Sequence, residues 1–334
     1  MKRPANNSRW AAGALIAFAI LALGAPASAQ EPTAAHKFDE VVREAVAEGR
    51  SLRAIVRFKN DAARLRAVET ITSRGGRIRR AHNEVTGLSV DLDAQTAAQL
   101  ASDFDTLTIS VDATVRSAGT GGGRAARSSG AKNARQRFNR SGRGVSVAII
   151  DSGVQPHSDL PASRIRKFVD FVNGRTMPYD DFGHGTHVAG IVAGNGASSW
   201  FLEDPLVGAA PEVDIVALKV LDSQGAGKTS DVIAALEWVA QNHAAYNIRV
   251  VNLSLGHPVY EPASTDPLVQ AAEALVARGI VVVASAGNLG IDPTDNLPGH
   301  GGITSPANGA RIIAVGAVDN KGTLTRSDDE VAAY

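Results

Sequence analysis

Six residues, Val145-Ser146-Val147-Ala148-Ile149-Ile150, form a nearly continuous apolar run rich in β-branched side chains. That is the pattern of a strand buried on both faces. Similar runs recur at Val213 to Val220, Arg249 to Leu255, Ile280 to Ala284 and Arg311 to Val315. Helical patterns lie between them. In Thr229 to Asn242, the positions Val232, Ile233, Leu236, Val239 and Ala240 share one helical face. Asp266-Pro267 opens a further helix with a cap and a first-turn proline, and Gly279 ends it. Strands alternating with helices predict an α/β, doubly wound parallel sheet covered on both sides. Ligands of such sheets bind beyond the carboxyl ends of the strands.

Ahead of it, residues 51–112 carry a different rhythm. Ser51 to Phe58 alternates like a half-buried strand, and Asp61 to Arg74 reads as a helix stopped by Gly75-Gly76. Strands at Arg77 to Arg80 and Gly87 to Leu92, a helix at Ala94 to Ser102 and a strand at Leu107 to Val111 follow. The order β-α-β-β-α-β predicts a small α+β, ferredoxin-like unit.

Lys2, Arg3 and Arg9 precede the apolar stretch Ala11 to Leu23, and Ala27-Ser28-Ala29 forms an A-x-A site. These are the parts of a cleavable secretory signal, and the stretch is short of the ~20 residues of a bilayer span. Localisation outside the cytoplasm, extracellular or periplasmic, is expected, with no membrane attachment after signal removal. Lys+Arg and Asp+Glu balance at 34 each, which gives no reason to invoke nucleic acid. The chain has no cysteine, which excludes disulfides and thiolate chemistry. Ala113 to Ile150 holds eight Arg or Lys and no acid, with Gly119-Thr120-Gly121-Gly122-Gly123 inside it. This is linker composition, and exposed basic linkers are where proteases cut.

The chemistry-bearing residues stand where the sheet predicts them. Asp151 directly follows the first strand, in Ile150-Asp151-Ser152-Gly153. His184 stands between Gly183 and Gly185, in His184-Gly185-Thr186-His187-Val188-Ala189-Gly190, at the start of a small-residue helix. Asn288 follows a strand in Ala284-Ser285-Ala286-Gly287-Asn288, and so does Ser254-Leu255-Gly256. A metal reading would pair His184 with His187. However, Gly185 stands where an H-E-x-x-H zinc motif has its Glu. His187 is expected to pack as a structural side chain.

These motifs resemble those of the subtilisin-like serine proteases (peptidase family S8). The resemblance covers Gly144 to about Asn320. It implies that Asp151 orients His184, that His184 is the general base, and that Asn288 donates to the oxyanion. Loss of one such donor costs on the order of 10²–10³ in turnover, a figure measured on subtilisin itself. Ser254, Leu255 and Gly256 would pair with extended substrate backbone by strand addition. His257 stands where the family often carries a second glycine. Gly208 to Pro211 and Ala217 to Leu221 match scaffold sequence and are assigned packing only.

The organisation then reads as a signal at 1–29, an N-terminal segment at 30–50 and a propeptide at 51–115. A basic linker at 116–140 and the catalytic domain at 141–334 complete it. The propeptide would act as folding chaperone and tethered inhibitor of a monomer whose partners are protein or peptide substrates. No cofactor is needed for the chemistry. The resemblance implies structural calcium, with Glu203 and Asp204 as candidate loop ligands. The family's G-T-S-M-A-type serine motif does not occur in these residues, and neither Ser152 nor Ser305 is a substitute. Two readings stay open. The chain is a piece of a secreted endopeptidase whose serine lies further on, or it is a peptide-binding remnant without hydrolysis.

Overall fold

The computed structural model describes residues 34–118, 130–203, 205–288, 302–323 and 326–332. The signal segment and most of the Gly-rich linker lie outside the described residues. Helix α1 (Glu40–Ala47), β1 (Leu52–Phe58), α2 (Asp61–Ser73), β2 (Arg77–His82), β3 (Gly87–Leu92), α3 (Ala94–Ser102) and β4 (Thr106–Val111) form the first part. Its strands make an antiparallel sheet in the order β2-β3-β1-β4. Ala54, Val56 and Phe58 of β1 point at Ala63, Ala67, Ile71, Leu100 and Ala101 of the covering helices. Phe38 and Val42 join the same cluster, so the unit begins ahead of residue 51. Asp39, Asn60 and Asp93 each accept a backbone N–H of the helix they open.

The sequence makes β1 half-buried, but Ile55 is fully buried as well. It faces away from the small unit's core and into the main core of the molecule. The sheet is therefore covered on both faces, one by its own helices and one by the α/β part.

A short strand β5 (Thr114–Ser117) and helix α4 (Ala131–Phe138) lie where the composition reads as linker. The α/β part then runs β6 (Ser146–Asp151), β7 (Ile165–Asp170), α5 (His184–Ala193), β8 (Asp214–Lys219), β9 (Ala226–Lys228), α6 (Thr229–Asn242), β10 (Ile248–Leu253), β11 (Leu255–Gly256), α7 (Pro267–Ala277), β12 (Val281–Ser285) and β13 (Ile313–Val315). Strands β14 (Val318–Asp319) and β15 (Glu330–Val331) form a separate hairpin pair. Six strands make one parallel sheet, in the order β13-β12-β10-β6-β8-β7. Every residue of β6 is buried, as its continuous apolar run requires. Ala148 and Ile150 face the α6–α7 core, while Val147 and Ile149 face α5. Burial of each large aliphatic side chain contributes roughly 1.5–3 kcal/mol.

The chain leaves β6 toward β7 and β8 on one side, then crosses to β10, β12 and β13 on the other. The order thus reverses at β6. A crevice opens at the carboxyl ends of strands around such a point.

Candidate active site

Asp151 is the last residue of β6 and stands at that reversal. It is fully buried. His184 is the first residue of α5 and is itself buried. Its Nδ1 lies 2.8 Å from Asp151 Oδ1 and 2.9 Å from Oδ2. The backbone N–H of Ser152 also donates to Oδ1, at 2.7 Å. A carboxylate held this way accepts the Nδ1 proton. That leaves Nε2 as the basic nitrogen of the neutral ring and stabilises the imidazolium once it forms.

The glycines flanking His184 serve two different needs, close approach at Gly185 and a left-handed backbone at Gly183. A Cβ on Gly185 would sit 2.1 Å from the Gly153 carbonyl oxygen and 3.1 Å from Asp151 Cβ. Gly183 precedes the helix with φ +96°, where other residues are strained.

Asp180 ties the two motifs together. Ser152 Oγ donates to its Oδ1 at 2.8 Å and accepts the Gly185 N–H at 2.9 Å. The Gly183 N–H donates to Oδ1 at 2.8 Å, and the Thr186 N–H and hydroxyl donate to Oδ2 at 2.8 and 2.6 Å. Burial pushes the Asp180 carboxyl up, but these hydrogen bonds outweigh it and hold it below the usual carboxylate value. One side chain thus fixes the turn after Asp151 against the first turn of the His184 helix.

The sequence gives Lys219 a packing role only, and the structure corrects this. It is fully buried beside Asp151 in register. Its Nζ donates to the Ser152 and Leu221 carbonyls at 2.7 and 2.6 Å and to Asp181 Oδ1 at 2.6 Å. A buried ammonium with three acceptors holds the backbone just past Asp151 in one position. Sequence spacing gave little notice of either residue. Asp180 lies three positions before the helix cap, and Lys219 sits inside an apolar strand.

Ser254 directly follows β10, and Asn288 lies three residues beyond β12. They share a cavity of 240 Å³ with Asn252, Val283, Gly287 and Ala118. Leu255 and Gly256 form β11, which pairs antiparallel with Ser117 and Arg116 of β5. A Cβ on Gly256 would lie 2.6 Å from Thr304 Oγ1. His257 is buried and its ring stacks on that of Tyr260, with centroids 5.6 Å apart.

One other expectation changes. His187 is exposed and does not pack into the scaffold. Its helix position points it outward because α5 buries His184, Gly185, Ala189 and Ala193 instead. Ser305 is buried and pairs through its backbone with His257. Among the described residues, no three His, Asp or Glu side chains gather as a metal-holding set. Glu203 is exposed, and Asp204 lies outside the described residues. No described helix is long and apolar enough to cross a membrane.

Comparison with known proteins agrees with this geometry. The chain is 42% identical over 198 residues to the serine protease AprX of Bacillus subtilis, a match covering 58% of this chain and 42% of that protein. It is 40% identical over 178 residues to subtilisin Savinase of Lederbergia lenta, covering 53% of this chain and 57% of that protein. The chain therefore spans about half the length of these relatives. The crystal structure of fervidolysin from Fervidobacterium pennivorans, a keratinolytic enzyme related to subtilisin, shares the fold. Its TM-score is 0.61 at 18% identity, over 85% of this chain and 45% of that one. Residues 142–332 match the subtilase family, peptidase S8. With Asp151 and His184 paired at the sheet's reversal point, the chain belongs to the subtilase family of serine proteases.

Proposed function

We propose that this chain is part of a secreted serine endopeptidase that cleaves peptide bonds through an acyl-enzyme. The observation that carries the reading is the hydrogen bond between Asp151 and His184 at the carboxyl edge of the parallel sheet. His184 takes the proton of a serine hydroxyl supplied by chain beyond Tyr334 and returns it to the leaving amine. Asp151 holds the ring and stabilises its charge. The Asn288 amide donates to the oxyanion as the carbonyl becomes tetrahedral. Substrate backbone adds as a strand along Ser254, Leu255 and Gly256.

The N-terminal unit acts as propeptide, chaperone and tethered inhibitor. Its Asp112 supports this role. The start of α6 has no side-chain cap of its own, and Asp112 accepts the Ser230 N–H and hydroxyl there, both at 2.8 Å. Arg80 pairs with Asp231 and Arg278 with Glu84 across the same contact. The 334-residue chain alone is inactive in this reading, and the residues at 1–29 direct export.

Expression of the complete reading frame tests it. The reading expects peptide hydrolysis that is lost in His184→Ala. Saturable peptide binding without turnover would instead support the peptide-binding alternative.

A further inference from the structure

Asp151, Lys219 and Asp170 end three neighbouring strands, β6, β8 and β7. They stand in one cross-strand row, because Lys219 is opposite Asp151 on one side and opposite Asp170 on the other. Asp170 closes the row two strands away from Asp151, and it is buried. Its Oδ1 accepts the N–H groups of Val172 and Asn173, both at 2.9 Å. Its Oδ2 accepts the Arg175 N–H at 3.1 Å and the Tyr179 hydroxyl at 2.7 Å. Four donors fill the acceptor sites of an ionised carboxylate. Burial pushes this carboxyl up, but its hydrogen bonds outweigh burial and hold it below the usual carboxylate value.

Tyr179 spans the row. Its hydroxyl is fixed at Asp170 and also accepts from the Asn173 amide at 2.9 Å. Its ring meets Phe168 of β7 edge-on at 5.7 Å, and Lys219 Nζ of β8 lies 5.1 Å from the ring centre. Its carbonyl fills the space that a Cβ on Gly153 would take, and Gly153 pairs with Asp180 as an antiparallel bridge. The side chain is thus held by β7 and β8, and the backbone lies against the turn after β6. The next residue is Asp180, which clamps that turn to the first turn of the His184 helix.

We propose that Asp170 and Tyr179 are positioning residues of the catalytic pair: Tyr179 is a bar across the carboxyl ends of β7, β8 and β6, anchored at Asp170, and it sets where Asp180 and the His184 ring stand relative to Asp151. The assignment rests on the proteolytic reading above. No regular element lies between Asp170 and His184, so helix or strand geometry does not fix where the loop delivers the helix start. Side chains must do so. A displacement of about 1 Å far from the chemistry can cost on the order of 10²-fold in rate. Asn in place of Asp170 keeps one acceptor oxygen and turns an amide donor toward the remaining donors. Phe in place of Tyr179 keeps the ring and removes only the anchor.

Kinetics and NMR on the protein of the complete reading frame test this. Titration with a fluorophosphonate counts competent sites, so kcat is read per site and a smaller folded fraction does not lower it. Tyr179→Phe is expected to lower that kcat about tenfold with KM nearly unchanged. Asp170→Asn is expected to do the same, and the double variant to be no slower than the slower single one, because Tyr179 acts through Asp170. The proton on His184 Nδ1 gives a far-downfield NMR signal while Asp151 holds it, with or without hydrolysis. In Tyr179→Phe this signal is expected to exchange with water faster than in the wild type. Tyr179→Phe loses a single oxygen, so it keeps the test open where Asp170→Asn fails to fold. A kcat per site within about twofold of the wild type, the scale of a surface substitution, overturns the assignment and leaves the proteolytic reading standing. An unchanged Nδ1 signal does the same. Absence of hydrolysis in the wild type overturns the proteolytic reading, and the Nδ1 signal alone then decides whether Tyr179 positions the pair.

Discussion

A carboxylate and an imidazole meet at Asp151 and His184 because Gly185 lets their backbones approach and Asp180 clamps both turns. The carboxylate matters through its charge as well as its shape. Asp151→Asn keeps the volume but disfavours the tautomer with the proton on Nδ1. In the protein of the complete reading frame, kcat is expected to fall on the order of 10⁴-fold, with KM and the thermal midpoint nearly unchanged. Steady-state kinetics and a melting curve check both halves. Asn288→Ala is expected to lose on the order of 10²–10³ in kcat with little change in KM, since the oxyanion exists only in the transition state. A change confined to KM would place Asn288 in ground-state binding. At this scale the sequence displays the chemistry-bearing residues and hides their supports. Asp151, His184 and Asn288 each follow a recognisable strand or open a helix. Asp180 and Lys219 act through contacts made by residues distant in the chain. His187 shows the opposite failure, since its motif position carries no information about which helix face is covered.

The elements of the parallel sheet were legible because burial on both faces forces long β-branched runs, as in β6. Strand β5 was not legible. Four residues in Thr114–Ser117 are too short for periodicity, and the basic Gly-rich stretch beyond them reads as linker. What makes them a strand is the pair of waiting edges, β9 and β11. The same holds for the start of α6, whose cap comes from the N-terminal unit. Asp112→Ala removes that cap and the partner of Arg53. It is expected to cost about 1 kcal/mol of stability in chemical denaturation of the whole chain, whereas Asp112→Asn retains most of the capping. Equal stability of Asp112→Ala and the wild type would show that α6 finds another cap.

Across the molecule, the contact between the N-terminal unit and the α/β part buries an acidic cluster. Asp39, Glu261 and Thr265 line a cavity of 530 Å³ there, beside Tyr260 and Arg43. Arg57 reaches the Thr265 carbonyl at 3.1 Å from the opposite sheet. Burial, with Asp266 and Asp39 nearby, pushes Glu261 from 4.5 up to about 7. Asp39 is raised in the same direction, first by burial. A carboxyl raised on folding binds its proton more tightly in the native state. Its stabilising contribution is complete below the unfolded value and is lost as pH rises through the folded one. The thermal midpoint of the 334-residue chain is therefore expected to fall between about pH 5 and about pH 8, and Glu261→Gln is expected to flatten that fall. Parallel pH profiles would contradict the assignment. The central claim is that Asp151 and His184 activate a serine carried by chain beyond these residues. Fluorophosphonate labelling of the complete protein, followed by peptide mapping, tests it most directly. The account predicts one labelled serine outside residues 1–334, with labelling lost in His184→Ala. Labelling that persists in His184→Ala, or that falls on a serine within this chain, would contradict it.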